Sequence, residues 1–310
     1  MGGHRVRAAS ALVRPPLLRP GAVVVVVEPS SPVPVGRLDA GLAVLRGWGL
    51  EVVEAPHLRH TDPDLPYLAG ADADRAGDLQ EAWLDPDVAA VLCGRGGYGV
   101  PRLLDLLDWS AMGRARPKPV LGFSDITPLL HGIGARLGVA TVHGPVVTGI
   151  GDGDEASREH LRRLLLGTSV GEARTEPFAE GLTTLVPGRA EGPLVGGNLA
   201  LLAASVGTPD LLPADGAIAV LEDVDETPFR LDRLVTQLLR SGWFEGVRGV
   251  VLGGFTGCGD PDQVRVTMAE RLRALGVPVV ADAPIGHDQP NLAWWMGGRA
   301  VLEDGVLSVS

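Results

Sequence analysis

Apolar residues along this chain alternate between two patterns. AVVVVVEPS (22–30) is a continuous β-branched run ending in turn residues, as suits a strand buried on both faces of a parallel sheet. RLDAGLAVLRGWG (37–49) has helical spacing and a glycine stop. The same alternation continues with a strand at 50–56, an amphipathic helix at 72–87, a strand at 89–93, a helix at 99–109 and a strand at 119–123. A helix then starts after Ser124, and ATVHGPVV (140–147) reads as a fifth strand. Strand following helix through about residue 165 predicts a parallel α/β sheet.

The pattern changes between 168 and 195, where scattered Gly, Pro and Thr predict a linker with short strands. GGNLALLAASVGTP (196–209) then reads as a helix after a glycine turn. Strands are expected at 217–223, 249–255 and 278–284, with helices at 230–242 and 263–276 between them and short strand-like pieces in the tail. The expected organisation is a loose arm at 1–20, an α/β domain at 21–165, a linker at 166–190 and a second α/β domain at 191–310.

Composition narrows the class. The 310 residues are 45% hydrophobic and 21% charged, which is globular, and the 43 Gly and 25 Pro are scattered without a repeat. A net charge of −11 argues against a nucleic-acid footprint, because phosphate binding needs clustered Lys and Arg. Cys93 and Cys258 are the two cysteines, too few for a disulfide framework or a cysteine-based zinc site. The Arg-rich N-terminus holds only AASALV as an apolar core, shorter than a signal-peptide h-region. No segment approaches the ~18–20 apolar residues of a membrane span, so a cytoplasmic protein without a membrane partner is expected.

Candidate chemistry centres on LGFSDITPLL (121–130), where a strand meets a helix at Ser124. Ser and Asp are ordinary helix caps. A serine on a tight turn at a strand end can equally be a nucleophile. One strand earlier, VLCGRGGYGV contains Gly94-x-Gly96-x-x-Gly99. As a dinucleotide fingerprint it is weak, since it follows the third strand and the next strand carries no acid. Glycines at a strand end also let backbone N–H groups approach a developing oxyanion.

A serine nucleophile needs a base. Of seven histidines, His4 lies in the arm, His57 and His60 form HLRH in a loop, and His131 and His160 fall in helices. His143 ends a strand, and His287 sits in the Gly/Pro/Asn loop PIGHDQPNLAWW. An orienting acid could come from AIAVLEDVDETPFR, where Glu222 and Asp223 end a buried-type strand. Either acid could instead cap the next helix or pair with Arg230.

With these motifs in view, the chain resembles the LD-carboxypeptidases, serine peptidases that trim bacterial cell-wall peptides, with the microcin C immunity peptidase as a relative. The resemblance runs from LRPGAVVVVVEPSSPV through RGGYG, GFSDIT, HGPVV, GGNLALLAASVGTP and LEDVDETPFRLDR to GHDQPN. It implies a flavodoxin-like N-terminal half, a C-terminal half of mixed sheet, and a homodimer. It also implies a triad of Ser124 as nucleophile, His287 as base and Glu222 as orienting acid, with the backbone N–H groups of Gly97 and Asp125 as the oxyanion hole. Asp125, His143 and Asn198 would have side chains in supporting roles. Arg95, beside the glycine loop, is a candidate anchor for a substrate carboxylate. No metal or organic cofactor is implied. The expected reaction cuts the bond between a diamino acid and a terminal D-amino acid in a murein tetrapeptide. The alternatives are hydrolysis of a peptidyl or aminoacyl adenylate, and a non-catalytic nucleotide- or sugar-binding protein. The family's Pro-Gly turn after the histidine is replaced by NLAWWMGGRA, which puts Trp294 and Trp295 in question.

Overall fold

The structure, a computed structural model, describes residues 12–167 and 176–310. The first sheet begins with β1 (Val23–Val27), β2 (Glu51–Glu54), β3 (Val88–Cys93), β4 (Val120–Gly122) and β5 (Val142–His143), all parallel, in the order β5-β4-β3-β1-β2. Val24, Val26 and Val27 are fully buried, which is why this strand carries branched apolar residues without alternation. Helices Val35–Gly47, Asp72–Leu84 and Glu155–Leu166 cover the sheet. The last starts cleanly because the Asp154 side chain accepts from Ser157 N.

The second sheet is mixed. Its parallel centre is β8 (Arg189–Asn198), β9 (Ile218–Val224), β10 (Gly249–Thr256) and β11 (Val279–Ala281). Antiparallel strands flank it: β6 (Glu176–Ala179) and β7 (Thr183–Val186), then, late in the chain, β13 (Arg299–Glu303) and β14 (Val306–Val309). Helix Pro228–Arg240 buries Leu231, Val235 and Leu238 along one stripe. The expected α/β class, with a flavodoxin-like parallel half and a mixed-sheet half, is the observed one.

Several local expectations are corrected. Gly196 and Gly197 do not form a turn; they end β8 with φ near +142° and +138°. A Cβ on Gly196 would lie 1.9 Å from Val220 O, and one on Gly197 2.9 Å from Thr127 Oγ1. Only glycine lets β8 approach both its neighbouring strand and the helix Thr127–Gly132 of the other half. The helix expected at 99–109 is two 3₁₀ turns, Val100–Arg102 and Leu104–Leu106, because Leu107 is extended and Asp108 caps a new helix at Trp109–Met112. Within the expected linker, residues 176–190 hold short strands as anticipated, β6, β7 and the first residues of β8; residues 168–175 lie outside the described residues. The expected arm is also corrected in part. Residues 1–11 are outside the described residues, but Val13 bridges Val139, and Leu18 is buried with its N–H bonded to Leu165 O. Finally, β12 (Trp294–Trp295) leaves the second half and adds an antiparallel edge to β5 of the first sheet.

The two halves are pinned together beside the helix that follows Ser124. Asn198 N donates to Thr127 Oγ1 (3.2 Å), His131 Nε2 lies 3.0 Å from Gly196 O, and Leu212 N donates to His131 Nδ1. Arg136 pairs with the buried Asp210.

Candidate active site

β3 and β4 both run to the same sheet edge, so the glycine loop and Ser124 emerge side by side. Phe123 is extended, and Ser124 then takes φ +61°, a conformation that strains a non-glycine residue and turns the chain sharply. The Ser124 hydroxyl caps no helix. The capping geometry is absent at both the turn Ser124–Ile126 and the helix Thr127–Gly132.

Asp125 carries the structural work at this corner. It is buried, and its Oδ2 accepts from Ser30 Oγ (2.7 Å) and Val100 N (2.9 Å). One carboxylate thereby ties the turn after β1, the end of the glycine loop and the Ser124 turn. Burial lifts its pKa to about 6, against the lowering pull of the bonds from Val100 and Ser30. The glycine loop fits tightly into this corner. A Cβ on Gly96 would fall 3.1 Å from Ser124 Cβ, and Gly97, at φ +119°, has Ser31 Oγ where a side chain would begin. Tyr98 N donates to the same Ser31 Oγ (3.0 Å). Glu28, also buried, accepts from Ser30 N and lies under Gly94; burial pushes its pKa well up.

The second half supplies the other groups. Glu222 is fully buried near the end of β9, opposite Asn198 of β8. Asn198 Nδ2 and Ala200 N donate to the neighbouring Asp223, whose pKa burial raises to about 6. His287 stands in the loop after β11, anchored by Gly254 N to Ile285 O (2.7 Å) and Gly286 N to Asn291 Oδ1 (3.3 Å). Gly286, at φ +122°, lets the loop pass over Glu222, since a Cβ there would sit 3.0 Å from Glu222 Oε2.

Across the gap, His287 Nδ1 is 2.8 Å from Glu222 Oε2, and His287 Nε2 is 3.1 Å from Ser124 Oγ. A carboxylate at Nδ1 selects the tautomer with the proton there, leaving Nε2 to accept from the serine hydroxyl. Burial pulls the His287 pKa down, but the hydrogen bond and charge of Glu222, with Asp223 and Asp225 behind it, outweigh burial, and the net shift is upward. The Phe123 ring lies 4.8 Å from the imidazole.

The remaining candidates lie as follows. Arg95 is half-buried and donates from Nη1 to Pro32 O (2.6 Å). His57 bonds Asp78 (2.8 Å), His160 bonds Ala293 O, and His131 is the buried pin between halves; none of these meets Ser124. His143 is fully buried, with Nε2 4.0 Å from Glu222 Oε1. His4 is outside the described residues. Among the described residues no group of three or more His, Cys, Asp or Glu is placed to hold a metal ion. A cavity of about 330 Å³ lies behind the His287 loop, walled by Phe255, Met268 and Asp288 among others, but neither Ser124 nor His287 lines it. Sequence reasoning missed the cross-link made by the Asp125 side chain to Ser30. Its one visible signal was an acid next to a strand end, the same signal that Glu222 gives.

Comparison with known proteins matches residues 24–144 to the LD-carboxypeptidase N-terminal domain and residues 191–302 to the LD-carboxypeptidase C-terminal domain. A Streptomyces coelicolor protein that bears a carboxypeptidase name is 53% identical over 294 residues, covering 94% of each chain. A Pseudomonas aeruginosa protein named murein tetrapeptide carboxypeptidase is 39% identical, covering 92% of this chain and 94% of its own. Among solved structures, an MccF-like protein from Bacillus anthracis superposes with a TM-score of 0.86 at 25% identity, over 96% of this chain and 99% of that one.

Proposed function

Because this chain belongs to the LD-carboxypeptidase family and is a serine peptidase of that type, we propose that it removes the terminal D-amino acid from murein tetrapeptides through a Ser124–His287–Glu222 triad. The observation that carries this reading is the unbroken line of contacts from Ser124 Oγ to His287 Nε2 (3.1 Å) and from Nδ1 to Glu222 (2.8 Å). Its three members come from separate elements and from both halves.

In this reading His287 takes the Ser124 proton as Oγ attacks the carbonyl of the diamino acid. Glu222 holds the imidazole in the accepting tautomer and stabilises the imidazolium. The N–H groups of Gly97 and Asp125 meet the developing oxyanion, each such donor contributing roughly 3 kcal/mol to the lowered barrier. The close packing of Gly96 on Ser124 supports that placement. His287 then protonates the departing amine, which leaves as a free D-amino acid. Water, deprotonated by the same imidazole, releases the tripeptide from the serine ester. A homodimer acting in the cytoplasm remains part of the proposal. No helix among the described residues is long and apolar enough to cross a membrane.

The likeness to an MccF-like structure favours a second reading, hydrolysis of a peptidyl or aminoacyl adenylate. Purified protein incubated in parallel with murein tetrapeptide and with an aminoacyl-sulfamoyl adenosine separates the two. We expect release of D-alanine from the first. Cleavage of the second substrate alone would replace the proposal with its rival.

A further inference from the structure

His143 ends β5, and its ring is enclosed by four elements. Trp294 of β12 stacks on it (5.1 Å between centroids, 24° between planes), and Phe123 meets it edge-on at 6.0 Å. Gly197 of β8 comes so near that a Cβ would lie 3.3 Å from His143 Cδ2. The fourth neighbour is Glu222 of β9.

Two features of this pocket belong together. Among the described residues, both ring nitrogens of His143 are buried without a hydrogen-bond partner, and so is Glu222 Oε1, the oxygen that His287 does not use. A buried polar atom left unpaired costs about 1–3 kcal/mol, so two such atoms facing each other at 4.0 Å have an energetic reason to pair. We propose that His143 is a positioning residue: its Nε2–H supports the outer oxygen of Glu222 and holds that carboxylate square to His287. The proposal rests on the triad reading and adds one group to its far end.

The surroundings fit a neutral donor. Burial is the main reason that the His143 pKa falls to about 4, with Glu222 opposing the shift and His287 reinforcing it. The titratable groups facing this ring are Glu222 from β9, His287 from its loop and His131 from the helix Thr127–Gly132. Phe123, Trp294 and Gly197 contribute none. At neutral pH His143 therefore has one proton to place; Nε2 faces Glu222 Oε1, and the competing acceptor is the residue's own backbone carbonyl. Outer partners that orient metal-bound histidines typically change activity ~10–100-fold when removed, and a loss of that order is expected for a group orienting Glu222.

The test compares His143→Phe, which keeps the ring packing, with His143→Gln, which restores a donor. His143→Phe should lower kcat ~10–100-fold with little change in KM. It should also move the acid limb of kcat/KM to higher pH, since a Glu222 charge without its donor acts more strongly on the His287 imidazolium. His143→Gln should recover part of both. Equal losses in the two variants with an unmoved acid limb, or wild-type kinetics in both, would overturn the proposal. A readout independent of folding defects is ¹⁵N-histidine NMR of the wild type. We expect a proton on His143 Nε2 between pH 5 and 8, with its shift altered by Glu222→Gln; a proton on Nδ1 would contradict the idea. Ser124→Ala run alongside keeps the two layers apart, because retained activity there sinks the triad, whereas normal His143 variants beside an inactive Ser124→Ala sink only this inference.

Discussion

The two halves hold their parts of the site in different ways. The Ser124 turn is over-determined: a strained φ is enforced by buried Asp125, by Ser30 and Val100 bonded to it, and by a glycine loop packed without room for a methyl group. The His287 loop is exposed at its tip, Asp288, Gln289 and Pro290, and is held at its base by Gly254 N to Ile285 O, Leu292 N to Pro284 O, Gly286 N to Asn291 Oδ1 and Asn291 N to Ser157 Oγ. Its imidazole is instead fixed through Glu222, which sits inside a strand. Ser124 is thus fixed by its turn and the packing around it, and the His287 ring by one side chain. In the proposed mechanism this puts the more constrained corner beside the oxyanion hole.

That contrast can be broken from either side, and the largest effect is expected at the carboxylate. Glu222→Gln keeps the shape but offers an N–H or a weaker acceptor to His287 Nδ1. Activity should fall by up to ~10⁴-fold, measured as D-alanine release, with the melting temperature scarcely moved, because wrong-tautomer substitutions act on rate. Next comes Asp125→Ala, which orphans the Ser30 hydroxyl and Val100 N–H. It should destabilise the fold by ~2–4 kcal/mol in urea melts, whereas Asp288→Ala in the exposed loop should stay within about 0.5 kcal/mol. Equal stability losses in the two would erase the distinction drawn above.

The pH response sharpens the same comparison. Asp125 in the folded chain holds its proton up to about pH 6, above its ordinary 3.8, so the unfolded chain loses its proton first as pH rises. Its contribution to stability is therefore complete below about pH 4 and declines as pH rises toward 6, a window shared with Asp223. Asp125→Asn should flatten part of that slope in melts taken from pH 4 to 7. His287 acts on rate instead. In the proposed mechanism it works only when neutral, and its pKa is raised, so kcat/KM should fall on the acid side at a pH above the ordinary imidazole value of ~6.5. A modest effect is expected from Arg95→Ala. It loses one bond to Pro32 O, roughly 0.5–1.5 kcal/mol, and a KM increase beyond about tenfold would show that Arg95 also grips substrate.

Which features were legible in the sequence follows the same division. Local devices were visible: the β-branched run of β1, the abrupt strand-to-helix junction at Ser124, and the glycine loop one strand earlier each have a short-range signature. Contacts made at long range were not. His287 and Glu222 are 65 residues apart; His287 was one candidate base beside His143, and Glu222 read equally as a capping or pairing acid, until the resemblance aligned them. Gly196 and Gly197 read as a turn because glycine signals backbone freedom without saying what presses on the vacant side; here it is Val220 and Thr127. Trp294 and Trp295 were a departure from the family pattern, and only the return of the chain to β5 explains their burial. Val13 and Leu18 seemed part of a loose arm because an arginine-rich segment hides two apolar anchors that dock on elements far along the chain.

The central claim is that one hydroxyl does the chemistry, with an imidazole and a carboxylate from the other half behind it. Mass spectrometry of a murein tetrapeptide digested by the wild type and by Ser124→Ala tests it most directly. The account predicts that the wild type strips the terminal D-residue and leaves the tripeptide, while the folded variant leaves the tetrapeptide intact. Cleavage by the variant at the wild-type rate would contradict it.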